Sequence, residues 1–574
     1  MSNIYGPGGT LPPIPDDLTI AQFILDAAHV SRPQVVTSCL IDDSTGRKTK
    51  MDEVCVRIRT RALAQSLKTH WDIVNLLEIL FLERCLADYP VAVWAVHLLG
   101  GIVTAANPAY TTGELEHQLV TTEAKLMIVH PASYAVALRA ASTAGLPMER
   151  IILIDSLKDA NSRPHHIVQE LITEGYQHHS ILVESRFRPG EGRTRLAFLS
   201  FSSGTTGKAK AVCIPHCATI AAVIQLAHLV NSQPRSSDER KIRPGDVWLA
   251  HIYGLVVMMH FAFFYGGALI VVPRFNFVEM LKSIERYRVN VLPVVPPQVV
   301  LLCKHSDVKN YDLRSIRLLI SGAAPLSAEL ITQLSQILPS ASIGQGYGMT
   351  EVVGSIAFPQ MEQKIGTPGS AGRLVPGMIA RVVHPDGTIA KIGEPGHLLI
   401  SGPATALGYL KNEEATKETF IDGWVHTGDE VIINEQSEIF ILDRIKELLK
   451  VKGYQVAPAE LEGHLLDHPD VADVCVVGLP DDYSGELPLA FVVPSTKATE
   501  RIKRDPAEAE RVRAVLMKHV ADAKVHYKRL AGGVEFVESI PKNPSGKLLR
   551  RVLRERAREM QKQGKLSSKP RAKL

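Results

Sequence analysis

Short apolar runs alternate with amphipathic stretches over most of the chain. "RLAFLSFSS", "GALIVVP", "IRLLISG" and "GHLLISG" each hold an apolar block closed by Gly, Pro or Ser. A short apolar block between turn residues reads as a buried strand. "FVEMLKSIERYRV" and "LSAELITQLSQIL" repeat their apolar residues at helical spacing. "NVLPVVPPQVVLLCKH" reads as strand, turn and helix, because Pro-Pro ends the strand and suits a helix start. Strands alternating with helices give the α/β class. The longest apolar stretch, "GLVVMMHFAFFYGGALIVVP" (Gly254 to Pro273), has the length of a bilayer span. Gly266-Gly267 divides it into a helix-like and a β-branched half, so a buried helix–turn–strand unit is expected and no integral membrane span. "DIVNLLEILFLERCLADYP" (Asp72 to Pro90) reads as one longer helix-like apolar run.

The pattern changes near Asp443 to Lys446. Downstream, "VADVCVVGLP" and "LPLAFVVPS" make a small strand set, flanked by helical "PAELEGHLLDHP" and "PAEAERVRAVLMKHV". The expected division is 1–443, 444–552 and a basic tail, 553–574. No fixed-period repeat breaks the series.

Composition adds little to fold and more to partners. The 574 residues are 45% hydrophobic and 22% charged, enough for two or more domains with sizeable cores. The net charge of +4 is uneven: Lys547 to Leu574 holds eleven Lys/Arg against two Glu, leaving 53 basic against 58 acidic elsewhere. We read the tail as a solvated helix face, with no nucleic-acid partner. Seven scattered cysteines, with no second pair near Cys213 and Cys217, argue against zinc and for a reduced intracellular protein. "MSNIYGPGGTLPPIPDD" lacks the basic flank and apolar core of a signal peptide. The final Ala572, Lys573 and Leu574 match a peroxisomal address of the Ser-Lys-Leu type, so an import receptor is the expected partner and peroxisomal the expected location, otherwise cytoplasmic.

Candidate chemistry sits in five separated segments. "SSGTTGKAK" (Ser202 to Lys210) packs hydroxyls, glycines and ammonium groups together, as a phosphate-holding loop does. It fails the Walker pattern, with Ser202 where Gly is needed and Ala209 where Ser or Thr is needed. "GQGYGMTE" ends in Thr350, a donor for phosphate oxygen, and Glu351, a ligand for Mg²⁺. "WVHTGDE" places Asp429 after a Thr-Gly turn, where a carboxylate takes two ribose hydroxyls. "LDRIKELLKVKGYQVAP" gathers Arg444 and three lysines around a glycine, and "PKNPSGKLLRR" sets Lys547 after a turn.

Together these segments resemble the adenylate-forming superfamily, most closely its 4-coumarate–CoA ligase-like acyl-CoA synthetases, from about Thr45 to Arg551. "GGIVTAANPAYTTGELEHQL" and "GEPGHLLISGPATALGYLKNEEAT" fit the same group. The resemblance implies a large N-terminal domain of stacked α/β subdomains and a small α+β C-terminal domain that rotates about a hinge. It implies ATP, Mg²⁺ and coenzyme A, and a small-molecule carboxylic acid (aryl, or a medium- or long-chain fatty acid) as substrate. Ser202, Ser203, Gly204, Thr205, Thr206, Gly207 and Lys210 would grip the β/γ-phosphates of ATP. Gln345, Gly346 and Tyr347, with Ser321, Gly322, Ala323 and Ala324, would wall the adenine and acyl pocket. Thr350 and Glu351 would serve the α-phosphate and Mg²⁺, and Asp429 and Arg444 the ribose. Lys446 would be the hinge. Lys547 would bridge carboxylate and α-phosphate in adenylation; Lys450, Gln455 and Gly453 would face the site in the thioester-forming arrangement. His251 and Tyr253 are the acyl-channel candidates, and small residues at Gly322, Ala323, Gly346 and Gly348 would leave room for a flat or long apolar acid.

Three departures stand out. Ala209 and Ala211 replace the Pro and Gly usual around Lys210. "GDVWLAHIYG" is short before His251, and Asp72 to Pro90 replaces the usual short strand. His397 stands where an acidic residue is common, with no function attached. Two other readings remain: adenylation with a carrier protein or oxidative acceptor, and a catalytically impaired nucleotide-binding relative.

Overall fold

The computed structural model describes residues 3–34, 39–43, 46, 48–50, 56–72, 78–82, 88–108, 110–156, 165–178, 182–202, 209–232, 242–250, 257–272, 275–322, 326, 328–361, 363–445, 447–452, 454–481, 484–542 and 548–566. Their strands form four sheets. The first runs Ile151–Leu153, Leu126–Val129, Glu78–Leu82, Ile102–Ala106, Leu196–Ser202, Lys210–Pro215, parallel except for the last, antiparallel pair. The second runs Ser342–Gln345, Leu318–Ser321, Val291–Val294, Val247–Ala250, Ala268–Val271, Cys39–Asp42, Lys48–Lys50, parallel except for the final hairpin. Parallel strands are joined through helices that cover the sheet faces, and so read as continuous apolar blocks.

The third sheet is antiparallel, with Trp424–Ile433 and Glu438–Arg444 as neighbouring strands. The fourth contains Leu449–Val451, Tyr454–Val456, Val471–Asp481, Gly485–Pro494 and Gly533–Phe536. The chain passes from the third sheet to the fourth between Arg444 and Leu449. One apolar core joins residues of the first and third sheets, and separate cores fill the fourth.

The expected elements appear. Helices Phe277–Tyr287 and Ala328–Ile337 lie on the amphipathic runs, and Pro296–Lys304 follows its strand with Pro in the first turn. Gly254 to Pro273 contains helix Val257–Tyr265 and strand Ala268–Val271. Among the described residues no helix is long and apolar enough to cross a membrane.

Two expectations need correction. The run from Asp72 to Pro90 is not helical through its middle: Glu78–Leu82 is a strand, hydrogen-bonded in parallel to Ile102–Ala106 and Leu126–Val129. A strand between two parallel neighbours presents no period-two signal, so its apolar block imitates a buried helix. The described basic residues of the tail do lie on a solvated helix face, but the tail does not begin at residue 553. Helix Arg550–Lys562 runs across that break, burying Leu553 and Ala557 in the small domain's core. The short segment before His251 still forms its strand, Val247–Ala250, in register with Ala268–Val271.

Candidate active site

Asp429 shows how the third sheet builds the site. Strand Trp424–Ile433 buries every second residue, so Val425, Thr427, Asp429, Val431 and Ile433 share the inner face. A carboxylate on such a face needs donors. Tyr347 donates its hydroxyl to Asp429 Oδ2 at 2.5 Å, and Arg444, opposite Asp429 in the strand pair, brings Nε to 3.4 Å from Oδ1. Desolvation and the Asp429 charge push the Tyr347 phenol well above its ordinary pKa, so it remains a donor. Asp429 is thus fixed as an acceptor beside a half-buried guanidinium, which fits a ribose diol.

A second cluster begins three residues after Tyr347. Thr350–Val352 is a single 3-10 turn, and it buries Glu351. Tyr409 donates its hydroxyl to Glu351 Oε1 at 2.8 Å, and Lys210 Nζ stands 4.8 Å from the centroid of the same Tyr409 ring. Burial and the Glu351 charge raise the Tyr409 phenol, while the charge of Arg444 lowers it. The Arg444 charge opposes the rise in both tyrosine phenols, and the chain from Tyr347 to Glu351 carries both clusters, Lys210–Tyr409–Glu351 and Tyr347–Asp429–Arg444. One Oε1 bond leaves the Glu351 carboxylate further acceptor capacity. Among the described residues no three His, Cys, Asp or Glu side chains make a metal cage. A lone carboxylate suits Mg²⁺, which pairs one or two carboxylates with substrate phosphates and water.

Ser202 pairs with Lys210 across the antiparallel strands Leu196–Ser202 and Lys210–Pro215. Ser203, Gly204, Thr205, Thr206 and Gly207 lie outside the described residues, as do His251, Tyr253, Ala323, Ala324, Lys446, Gly453, Lys547 and the terminal Ala572, Lys573 and Leu574. Ala211 is buried in its strand and its carbonyl accepts from Leu410 N–H, so it holds the segment carrying Tyr409. Lys450 is exposed on Leu449–Val451, paired with Gln455.

Two of the expected wall residues also hold the fold together. Gln345 is buried; its Oε1 accepts from Leu326 N–H at 2.6 Å and its Nε2 donates to the Ser370 carbonyl at 3.4 Å. It ties the second sheet to the third. At Gly348 the missing Cβ makes room for backbone: an added Cβ would lie 1.4 Å from the Gly354 carbonyl oxygen. Gly346 is freer, since a Cβ there would meet only Ile320 and Ala357 at 3.5 and 3.7 Å. The Gly322 N–H donates to the Val294 carbonyl.

Sequence reasoning passed over three residues. Tyr409 links Lys210 to Glu351, which lies 58 positions away. His397 accepts the Gly428 N–H at Nε2, 3.0 Å, and so braces the strand at the residue before Asp429, where the sequence suggests a turn; burial lowers its pKa to about 4, which keeps that acceptor neutral. Val353, next to the Thr350–Val352 turn, is buried with φ of 52°, a conformation that a β-branched residue adopts only under constraint. No local pattern marks any of them.

Comparison with known proteins identifies the family. The AMP-binding enzyme family matches residues 56–410, and the AMP-binding enzyme C-terminal domain matches 460–547. The chain is 34% identical to 4-coumarate-CoA ligase 1 of Narcissus pseudonarcissus, over 95% of this chain and 94% of the relative. It is also 34% identical to the peroxisomal OPC-8:0-CoA ligase 1 of Arabidopsis thaliana, again over 95% and 94%. The anthranilate CoA ligase AuaEII in complex with anthranoyl-AMP shares its fold, with TM-score 0.79 and 22% identity over 95% of this chain and 98% of that one. ATP-bound MatB from Rhodopseudomonas palustris shares it too, with TM-score 0.77 and 24% identity over 94% and 99%. The chain belongs to the AMP-binding enzyme family, in its 4-coumarate–CoA ligase-like branch of AMP-forming acid–CoA ligases, which use ATP, Mg²⁺ and CoA.

Proposed function

We propose that the protein activates an apolar carboxylic acid, aryl or medium- to long-chain, as its adenylate and passes the acyl group to CoA. The observation that carries this reading is the pair of clusters held on the Tyr347 to Glu351 segment, which together offer a diol acceptor, a carboxylate for Mg²⁺ and a cation. ATP supplies the AMP that makes the carboxylate reactive, with pyrophosphate as leaving group. Asp429, held by Tyr347 and Arg444, fixes the ribose. Glu351, fixed by Tyr409, holds Mg²⁺, while Thr350 donates to the α-phosphate. Lys210 and the Ser202 to Gly207 loop grip the β/γ-phosphates. Lys547 places its ammonium between the two anions brought together, as electrostatic catalysis of such a step requires. Lys450, with Gly453 and Gln455, serves the thioester step after the small domain turns about Lys446.

The relatives act, by name, on 4-coumarate and on OPC-8:0, and those acid classes are the first to try. The relative named peroxisomal and the terminal Ala572-Lys573-Leu574 support peroxisomal import. The test incubates the protein with ATP, Mg²⁺ and a panel of aryl and fatty acids, with and without CoA, and measures AMP and acyl-CoA. AMP with a CoA ester is expected from at least one acid. AMP without any CoA ester would move the acceptor elsewhere, and no AMP from any acid would overturn the reading.

A further inference from the structure

Helix Pro458–Leu466 is the first helix of the small domain, and the large domain satisfies both its ends. Its N-cap, Ala457, has no side-chain acceptor to offer. The N–H of Ala459 donates instead to Asp443 Oδ2 at 3.1 Å, at the end of large-domain strand Glu438–Arg444. At the other end Lys304 Nζ donates to the Leu466 carbonyl at 3.3 Å and the Val471 carbonyl at 3.2 Å. Lys304 is the last residue of large-domain helix Pro296–Lys304. An anion at a helix N-terminus and a cation at its C-terminus both oppose the helix dipole favourably. Burial lowers the Lys304 pKa while the Asp467 charge raises it. This ammonium is thus partly withdrawn from water to meet two carbonyls of another domain.

The two caps differ in where they sit. Asp443 lies three residues before Lys446, beside the junction between the domains. Lys304 lies far from that junction in sequence and reaches Leu466 and Val471 from the body of the large domain.

We propose that Lys304 is a positioning residue that holds the small domain in this one of its two working arrangements, through the Leu466 and Val471 carbonyls. The proposal rests on the two-arrangement reading above for its kinetic consequence, but its structural consequence is independent of any activity. The intact chain, with Lys304→Ala and Lys304→Arg variants, is examined by amide hydrogen exchange and by separate half-reaction assays. The half-reactions are pyrophosphate–ATP exchange with 4-coumarate, or the best acid of the panel, and thioester formation from the matching acyl-adenylate and CoA. Lys304→Ala is expected to speed exchange across residues 458–471, leave the large-domain core unchanged, and shift the ratio of the two rates by about tenfold. Lys304→Arg is expected to restore both. Unchanged exchange in Lys304→Ala would overturn the latch whatever the activity. Faster exchange with an unchanged ratio would overturn its part in choosing the arrangement.

Discussion

Asp429 carries a charge on a face otherwise built of Val, Thr and Ile, and it persists there because Tyr347 and Arg444 answer it. Tyr347→Phe removes one donor while keeping the ring. It is expected to raise the KM for ATP by roughly five- to tenfold, the worth of one hydrogen bond, and to change kcat less. Steady-state kinetics at varied ATP measures this. His397 acts one step further out. Above pH 4 its ring is neutral and takes the Gly428 N–H; protonation below about 4 removes that acceptor. His397→Ala leaves the N–H unpaired, and we expect a loss of about 1–2 kcal/mol in denaturant unfolding with a smaller rise in the ATP KM. Asp429 and Glu351 were legible in the sequence because glycine-rich stretches precede them, and Arg444 because its segment resembles that of the family. Tyr409 and His397 were not, because what they touch lies 58 and 31 positions away and comes near only when sheets assemble.

At the scale of elements, the sequence marks strands well where turn residues bound them, as at Leu196–Ser202 and Leu318–Ser321, and poorly at Glu78–Leu82, whose apolar block has Leu77 and Glu83 on either side and no Gly, Pro or Ser. It also misreads purpose in the Gly-rich turn. Gly348 is dictated by the approach of the Gly354 carbonyl, and Gly348→Ala is expected to cost at least the ~3 kcal/mol upper end of ordinary overpacking, read as a lower unfolding midpoint. Helix Arg550–Lys562 makes the same point for charge. Its first residue, Arg550, is nearly buried and ion-paired to Glu447 at 2.5 Å and Glu462 at 2.6 Å. Burial raises the pKa of Glu462 and of nearby Asp443, and Arg550 opposes that rise in both. Arg550→Met would strip these acids of their cation. A loss of about 3–5 kcal/mol is expected, as for other buried pairs broken on one side, and calorimetry should place it in the small domain.

The whole molecule couples a large body to a small one through the segment between Arg444 and Leu449, and the body carries its own acid sensitivity. His97, His216 and His260 pack within the apolar core around Phe198. Burial lowers His97 to about 3 and His216 well below its ordinary value. Unfolded histidines take protons near pH 6.5, so below that pH the unfolded chain binds more protons than the folded one. Stability is therefore full above about 6.5 and falls toward pH 3, by about 1.4 kcal/mol per pH unit for each such histidine. The raised carboxylates work in the opposite direction, so the comparison with His97→Gln isolates the histidine contribution: its melting temperature should fall less steeply between pH 7 and 5 than that of the unaltered protein.

Adenylation by the set around Asp429 and Glu351 is tested most directly by acid-dependent exchange of labelled pyrophosphate into ATP with no CoA present. Exchange is expected with the acid that supports acyl-CoA formation, and its loss is expected in Asp429→Ala. Acyl-CoA formation without such exchange, or exchange undiminished in Asp429→Ala, would contradict it.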